Sequence, residues 1–133
     1  MTVRPERAAD YLQHILDAID RATAHAAHVT TLDAFKGNVL VQDGIVRNIE
    51  VIGEAAVKIQ QMAPDLIASR PEIPWKDMRT MRNKIIHDYF DVDLDIVWNT
   101  VQRDLPRLAE QITDVLKFLR AGDQPPASPI VPP

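Results

Sequence analysis

The sequence predicts an all-α protein, an antiparallel bundle of four to five helices. Apolar residues recur at helical spacing through most of the chain, and no segment shows the alternation of a half-buried strand. Prolines stand at the beginning or end of most long apolar stripes, where they suit helix boundaries. With 133 residues, the chain is long enough to form one domain with its own core.

Two long helices are predicted in the first half of the chain. The first follows Pro5, which suits a first helical turn, and the second extends from Leu40 to Met62 and is closed by Pro64. Residues 31–35 between them suit a short capped turn that ends at Gly37. The first stripe consists of Tyr11, Leu12, Ile15, Leu16, Ile19, Ala22 and Ala26.

Gly44 and Gly53 lie inside the second long helix, where each costs about 1 kcal/mol relative to alanine. We expect close approach of a neighbouring helix at these positions, in preference to a functional role for either glycine. Glu54 follows Gly53 directly. Its carboxylate is expected either at the exposed edge of this contact or held by a nearby arginine or backbone group.

The second half of the sequence predicts two further helices. Pro74 suits the first turn of a helix that carries Trp75 and continues into residues 82–89. Asp91 or Asp93 then suits the N-cap of the next helix. Pro106 is expected either to kink that helix or to start a new one, with the apolar stripe continuing to about Arg120.

The predicted domain covers residues 1–121, and residues 122–133 are predicted to form a flexible tail. Five of the ten prolines lie in residues 125–133, a composition typical of extended or disordered segments. The charged N-terminus argues against a signal peptide, and no stretch approaches the ~20 apolar residues of a membrane span. The absence of cysteine fits a reducing cytoplasm, which is the predicted location.

Several classes of site are not supported by the sequence. His25 and His28 have i, i+3 spacing, but no third metal ligand lies nearby in sequence. Residues 91–95 are rich in aspartate but lack the turn glycine and later glutamate of a calcium loop. There is no Gly-rich phosphate loop, paired-carboxylate pattern, G-x-S-x-G or HExxH. No metal and no cofactor are therefore predicted.

Basic residues are concentrated in one part of an acidic chain. The net charge is −4, yet residues 70–84 contain five basic and two acidic residues and so carry +3. This distribution suits one confined site for a polyanion. A solvated helix face is the alternative interpretation.

Residues 82–89 combine Arg82, Asn83, His87 and Tyr89. Arginine binds phosphate through a permanently charged fork, and histidine exchanges protons near pH 7, so the segment suits a metal-free phosphodiester site. On an ideal helix, however, Arg82 and His87 point about 140° apart. Either the helix distorts between Lys84 and His87, or the same segment of a second copy completes the site across a two-fold axis.

A purely structural interpretation of this segment is also open. Arg82 would then pair with an acid such as Glu54, while His87 and Tyr89 would cap the end of the helix. Residue types and spacing alone do not decide between the two.

The motif R-x4-H-x-Y, with Asn after the Arg, resembles that of HepT-like toxins of the HEPN ribonuclease superfamily. The resemblance covers residues 6–119 and extends over several ordered blocks, at residues 11–19, 47–56, 73–83, 87–89 and 97–106. It implies a HEPN-like helical bundle that forms a homodimer. It also implies a metal-independent endoribonuclease and growth-arresting toxin. Because the rest of the surface is acidic and would keep the protein off bulk RNA, structured RNA such as tRNA is a candidate substrate.

By the same resemblance, Arg82 and His87 would be catalytic and Asn83 would support them. Tyr89 would receive AMP from an MntA-type minimal nucleotidyltransferase antitoxin, which silences the toxin. Arg79 and Lys84 are expected to hold flanking RNA phosphates.

Two other functions are considered. One is a non-catalytic subunit that binds nucleotide or protein within a nucleotidyltransferase complex. The other is a plain helical dimerisation module.

Overall fold

The computed structural model describes residues 5–123, and every regular element within this range is helical, as predicted. Four long helices carry the bundle. A 3-10 turn, Tyr89–Asp91, follows α5, and a π-helical turn, Thr100–Asp104, joins α6 to α7. The helices are α1 (Pro5–Ala26), α2 (Leu32–Lys36), α3 (Val39–Met62), α4 (Pro64–Ser69), α5 (Trp75–His87), α6 (Leu94–Asn99) and α7 (Leu105–Asp123).

The predicted tail lies outside the described residues, apart from Gly122 and Asp123, which end α7. The last helix thus extends three residues beyond the expected end at Arg120. The domain boundary at residue 121 stays a prediction. None of the helices in residues 5–123 is long and apolar enough to cross a membrane.

The long helices pack antiparallel, with α3 in contact with both α1 and α5. His25 near the end of α1 lies against Gly44 early in α3. Arg120 near the end of α7 donates to Gln13 in the first half of α1 at 3.1 Å. These contacts confirm the predicted antiparallel arrangement, in which α1 also packs on α7.

The core lies mainly between α1, α3 and α7. It consists of aliphatic side chains that recur at helical spacing and are almost inaccessible to solvent. Each fully buried Leu or Ile stabilises the fold by about 1.5–3 kcal/mol. The largest of them are Leu12, Ile15, Ile45, Ile59, Ile112 and Val115, together with Phe35 and Val97.

The short helix α2 holds the start of α6 against the bundle. The side chain of Thr31 accepts a hydrogen bond from Ala34 N and caps α2, so the predicted capped turn is confirmed. Lys36 Nζ contacts Asp95 Oδ1 of α6 at 2.8 Å, and this hydrogen bond raises the pKa of the Lys36 amine above its ordinary value. Asp93 caps α6, accepting from the two backbone N–H groups of residues 95 and 96.

Two prolines stand at helix boundaries, as predicted, and each is accompanied by an element that was not predicted. Pro64 ends α3, as predicted, but it also starts α4, because proline suits a first helical turn. This short helix was not predicted from the sequence. A new helix, α7, starts at Leu105, directly before Pro106, so one of the two effects expected of this proline is confirmed. The turn before it was not predicted: the N–H of Leu105 bonds to the carbonyl of Thr100, five residues back, which makes residues 100–104 π-helical. The shift in hydrogen-bonding register fits the lack of an N–H on proline.

Gly44 confirms one of the two predicted close approaches. A Cβ at this position would stand 2.9 Å from Cδ2 of His25, closer than real Cβ contacts. The imidazole of His25 is therefore occupied with packing at the α1–α3 contact.

Candidate functional site

The site is built on α5, which is anchored to α3 by one apolar face. Trp75, Met78 and Ile85 of α5 are buried, and Trp75 Nε1 donates to the carbonyl of Arg70 at 3.1 Å. The opposite face is left to solvent. The helix is regular through His87 and the chain turns only at Asp88, so the distortion that was one of two options for bringing Arg82 to His87 is absent.

Arg82 lies at the edge of the α3–α5 contact and is bound by two side chains. Its Nε donates to Glu54 Oε1 of α3 at 2.6 Å, and its Nη2 lies 2.5 Å from the same oxygen. Its Nη1 donates to Asn83 Oδ1 at 2.8 Å. The expected partner of Arg82, Glu54, is thus confirmed, and Asn83 supports the same guanidinium.

Gly53 makes room for the Arg82 side chain. A Cβ on Gly53 would stand 2.1 Å from Arg82 Cβ and 2.7 Å from the carbonyl oxygen of Met78. The predicted close approach of helices at Gly53 is therefore confirmed. It also shapes the site, because the stem of Arg82 lies directly on the glycine.

His87, the last residue of α5, is exposed and has no hydrogen-bond partner among residues 5–123. Because α5 remains regular, His87 points about 140° away from Arg82 and lies about 7.5 Å farther along the axis. One chain does not bring the two side chains together. Asn83 lies one turn before His87, on the same side of the helix.

Tyr89 and Phe90 form an exposed aromatic pair in the 3-10 turn after α5. Tyr89 is 72% exposed and Phe90 80%, and their rings meet edge to face at 5.4 Å. Ile86, one turn before them, is also exposed. In the structural interpretation, Tyr89 would cap the end of α5. Within residues 5–123 the phenol makes no hydrogen bond to the end of this helix, so that cap is not found. The side chain of Tyr89 is therefore open to solvent.

Arg79 and Lys84 lie on different faces of α5. Arg79 is on the same side as Arg82 and donates from Nη1 to Gln60 Oε1 of α3 at 3.0 Å. Lys84 lines a groove of about 530 Å³ between α5 and the chain from Ile96 to Gln111. The basic strip predicted from the sequence is therefore divided, and Lys84 faces away from Arg82.

The groove that contains Lys84 is separate from the Arg82 site. Its walls carry both signs of charge, with Asp77 and Lys84 on one side and Asp104 and Arg107 on the other. Neither Arg82 nor His87 lines it. Elsewhere in residues 5–123, no group of three or more His, Cys, Asp or Glu lies close enough together to hold a metal ion.

Comparisons with known proteins place the chain among ribonucleases. A model of the family described as "Ribonuclease HepT-like" matches residues 15–115. The chain therefore belongs to the HepT-like ribonuclease family, and this membership confirms the predicted class of enzyme, an endoribonuclease. None of the solved structures matches the chain significantly.

Individual relatives agree with this assignment. "Probable ribonuclease HepT" of Thermococcus cleftensis is 38% identical over 99 residues, which are 74% of this chain and 86% of the relative. "Putative RNase" of Caldanaerobacter subterraneus is 32% identical over 107 residues, 80% of this chain and 92% of the relative.

One relative is much longer. A "Gamma-glutamylcyclotransferase and putative RNase" of Methanocaldococcus jannaschii is 37% identical over 109 residues, 82% of this chain, but the match spans only 47% of that protein.

Two residues of the site were not identified from the sequence. Gly53 was assigned to helix packing only, although its position directly before Glu54 is a signal that the glycine and the acid meet the same neighbour. Phe90 was not singled out, and its signal is an aromatic residue outside any apolar stripe, next to Tyr89.

The two helical glycines give a matched test of this geometry. We expect Gly53→Ala to lower the free energy of unfolding by about 1–3 kcal/mol, since the added methyl overlaps Arg82 Cβ and the Met78 backbone. In Gly44→Ala the methyl meets only the ring of His25, which can turn aside, so the gain of about 1 kcal/mol in helix propensity offsets the clash. Urea unfolding of both variants measures the difference, and equal stabilities would contradict the Gly53–Arg82 contact.

Proposed function

We propose that this protein is a metal-independent endoribonuclease that acts as a homodimer and serves as the toxin of a toxin–antitoxin pair. The observation that carries the proposal is the arrangement on α5, where Arg82 is held at the helix edge by Glu54 and His87 is exposed one and a half turns later. Membership of the HepT-like ribonuclease family supports RNA as the substrate.

The proposed reaction is a transesterification within the RNA. The ribose 2′-oxygen attacks the neighbouring phosphorus, its proton is taken up by a base, and the bond from phosphorus to the 5′-oxygen breaks as that oxygen gains a proton. The products are a 2′,3′-cyclic phosphate and a 5′-hydroxyl. His87 suits both proton transfers, and Arg82 would stabilise the extra negative charge on the pentacoordinate phosphate.

A dimer would supply a second histidine and would bring Arg82 close to a His87. Two proton transfers need one base and one acid, and each chain offers a single histidine in the motif. Suppose that two copies of α5 pack antiparallel about a two-fold axis, which passes midway between Arg82 and His87 along the helix. Arg82 of each copy would then lie at the same position along the helix axis as His87 of the other copy. The regular helix supports this arrangement, because no distortion within one chain brings the two side chains together.

The surface of α5 fits such a contact. Ile86, Tyr89 and Phe90 expose apolar side chains at its C-terminal end. The helix carries both signs of charge near each end, with Lys76 and Asp77 at its start and Lys84 and Asp88 at its end. The exposed apolar side chains are therefore the feature that supports antiparallel packing against a second α5.

Arg79 is the better candidate of the two basic residues expected to hold flanking phosphates. It lies on the Arg82 side of α5, and guanidinium groups bind phosphate in two-pronged geometry. Lys84 would reach only RNA that passes around to the groove.

Regulation by AMP transfer to Tyr89 is part of the proposal. An MntA-type nucleotidyltransferase would join the phenolic oxygen to the α-phosphorus of ATP, with pyrophosphate leaving and the phenolic proton released to solvent. Tyr89 is 72% exposed, so its hydroxyl is accessible to such an enzyme. The added phosphate and nucleoside would occupy the surface beside His87 and repel RNA.

The separation of Arg82 and His87 in one chain also suits a second function. If the protein stayed monomeric, Arg82 could bind the phosphate of a nucleotide while His87 took no part in chemistry. The protein would then be a non-catalytic binding subunit of a nucleotidyltransferase complex. The experiments that follow separate this function from catalysis.

We expect Arg82→Ala and His87→Ala each to lower RNA cleavage by about 100-fold or more while the fold is retained, since neither side chain belongs to the core. The wild type and both variants are expressed without a partner gene, and RNA from each culture is mapped for new ends. Growth arrest and cuts are expected for the wild type alone.

Purified wild type should cut equally well in EDTA and should not cut a substrate with 2′-deoxyribose at the cleaved position. Cleavage of that deoxy substrate would contradict attack by the 2′-hydroxyl. Equal growth and intact RNA in all three cultures, with soluble protein free of AMP, would favour the binding subunit.

Phe90→Ser tests the proposed dimer surface. The side chain is 80% exposed, so we expect little change in thermal stability but a clear weakening of self-association, with cleavage falling in parallel. Sedimentation velocity at several concentrations measures the association. Phe118→Ser on α7 is the control, because its ring is 64% exposed and lies beside Arg70, at the opposite end of α5 from Phe90. A dimer unaffected by Phe90→Ser would place the interface elsewhere.

Co-expression with an MntA-type nucleotidyltransferase should add the mass of one AMP moiety to the intact protein and stop RNA cleavage. Tyr89→Phe should remain unmodified under the same conditions, because the acceptor oxygen is gone. Intact-protein mass spectrometry gives the result. An adduct on Tyr89→Phe would place the modified residue elsewhere in the chain.

A further inference from the structure

We propose that Glu54 is a positioning residue, which acts on the reaction only by fixing the guanidinium of Arg82. This inference rests on the proposed ribonuclease function and assigns a role to a residue outside the R-x4-H-x-Y motif. Glu54 is on α3, 28 residues before Arg82 in the sequence, so the motif on α5 is completed by a different helix.

The stem and the head of Arg82 are fixed separately. At the stem, Gly53 leaves space for Arg82 Cβ, with no room for a methyl group between the two helices. At the head, Glu54 Oε1 accepts from Nε and lies within 2.5 Å of Nη2. The pair is only partly exposed, 27% for the Arg82 side chain and 40% for that of Glu54, so solvent screens it less than a fully exposed pair.

The position of Glu54 selects which donors remain for RNA. A guanidinium has five N–H groups. Nε–H is used by Glu54, one N–H of Nη1 is used by Asn83, and Nη2 faces Glu54 with one of its two N–H groups. One N–H on each terminal nitrogen is left to bind phosphate oxygens.

This arrangement predicts a specific kinetic effect. An arginine that is released from Glu54 keeps its charge and still attracts RNA, so binding should change little. The released side chain samples many rotamers, however, and misplacement by about 1 Å is enough to lower the rate of a chemical step by about 100-fold. The loss should therefore appear in the rate at saturating RNA, not in the concentration that gives half saturation.

Glu54→Gln is the direct test, with Glu50→Gln as its matched control. Both acids lie on α3 one turn apart, but Glu50 contacts only the exposed Arg47, at 3.5 Å. The substrate is an RNA oligonucleotide that contains a cleavage site mapped with the wild type, and single-turnover rates are measured at several RNA concentrations. We expect Glu54→Gln to lower the saturating rate by about 10–100-fold with unchanged half saturation, and Glu50→Gln to behave as wild type.

A double-mutant cycle distinguishes positioning from a general structural role. If Glu54 acts only through Arg82, adding Glu54→Gln to Arg82→Ala causes no further loss of rate. A further loss of the same size as in the wild-type background would overturn the proposal. Thermal melts check that each variant is folded. If Glu54→Gln melts below the assay temperature, Glu54→Asp replaces it, since this variant keeps the charge but moves it away from Arg82 by one methylene.

The outcomes separate this inference from the function on which it rests. An active wild type, an inactive His87→Ala and a fully active Glu54→Gln would overturn the positioning role alone. A wild type that cuts no faster than His87→Ala would overturn the ribonuclease function and the positioning role together.

Discussion

The contact between α3 and α5 at Gly53 and Arg82 is the constraint on which the rest of the site depends. Because no side chain stands at Gly53, the stem of Arg82 reaches the surface of α3 and its head meets Glu54. The same contact sets the depth of α5 against the bundle, with Trp75, Met78 and Ile85 buried on one face. The opposite face, which ends in His87, is thereby presented to solvent.

The ion pair between Arg82 and Glu54 is compatible with both a structural and a catalytic role for Arg82. Ion pairs at protein surfaces contribute little stability, with a median of about 0–1 kcal/mol, because water competes for both charges and two long side chains lose entropy. The contribution of this pair to the free energy of unfolding is therefore a weak explanation for the tight contact between Glu54 and Arg82. Orientation gives a stronger one, since a phosphate needs donors at a fixed distance and angle, and two N–H groups of Arg82 remain after Glu54 and Asn83 are served.

Much of the fold could be predicted from local sequence pattern. The prediction failed where one residue, Pro64, both ends one helix and starts the next. The long helices, the Thr31 and Asp93 caps and the close approaches at Gly44 and Gly53 were predictable, because apolar spacing, caps and missing side chains act over a few residues. The short helix after Pro64 was missed, since proline both ends one helix and starts another. The partner of Arg82 could be named as a candidate but not chosen, because 28 residues separate it from Glu54 and only packing of α3 on α5 joins them.

The relation between Arg82 and His87 is the reason why we propose a site that extends beyond one chain. Their spacing of five places them about 140° apart on a helix, and α5 does not distort to correct this. A reaction with two proton transfers needs two groups that titrate near neutral pH, and the motif supplies one histidine per chain. Both deficits are removed by the same operation, a two-fold axis across α5. In the proposed dimer, the second copy would cover the exposed Ile86, Tyr89 and Phe90, and catalysis would require self-association because one chain does not bring Arg82 and His87 together.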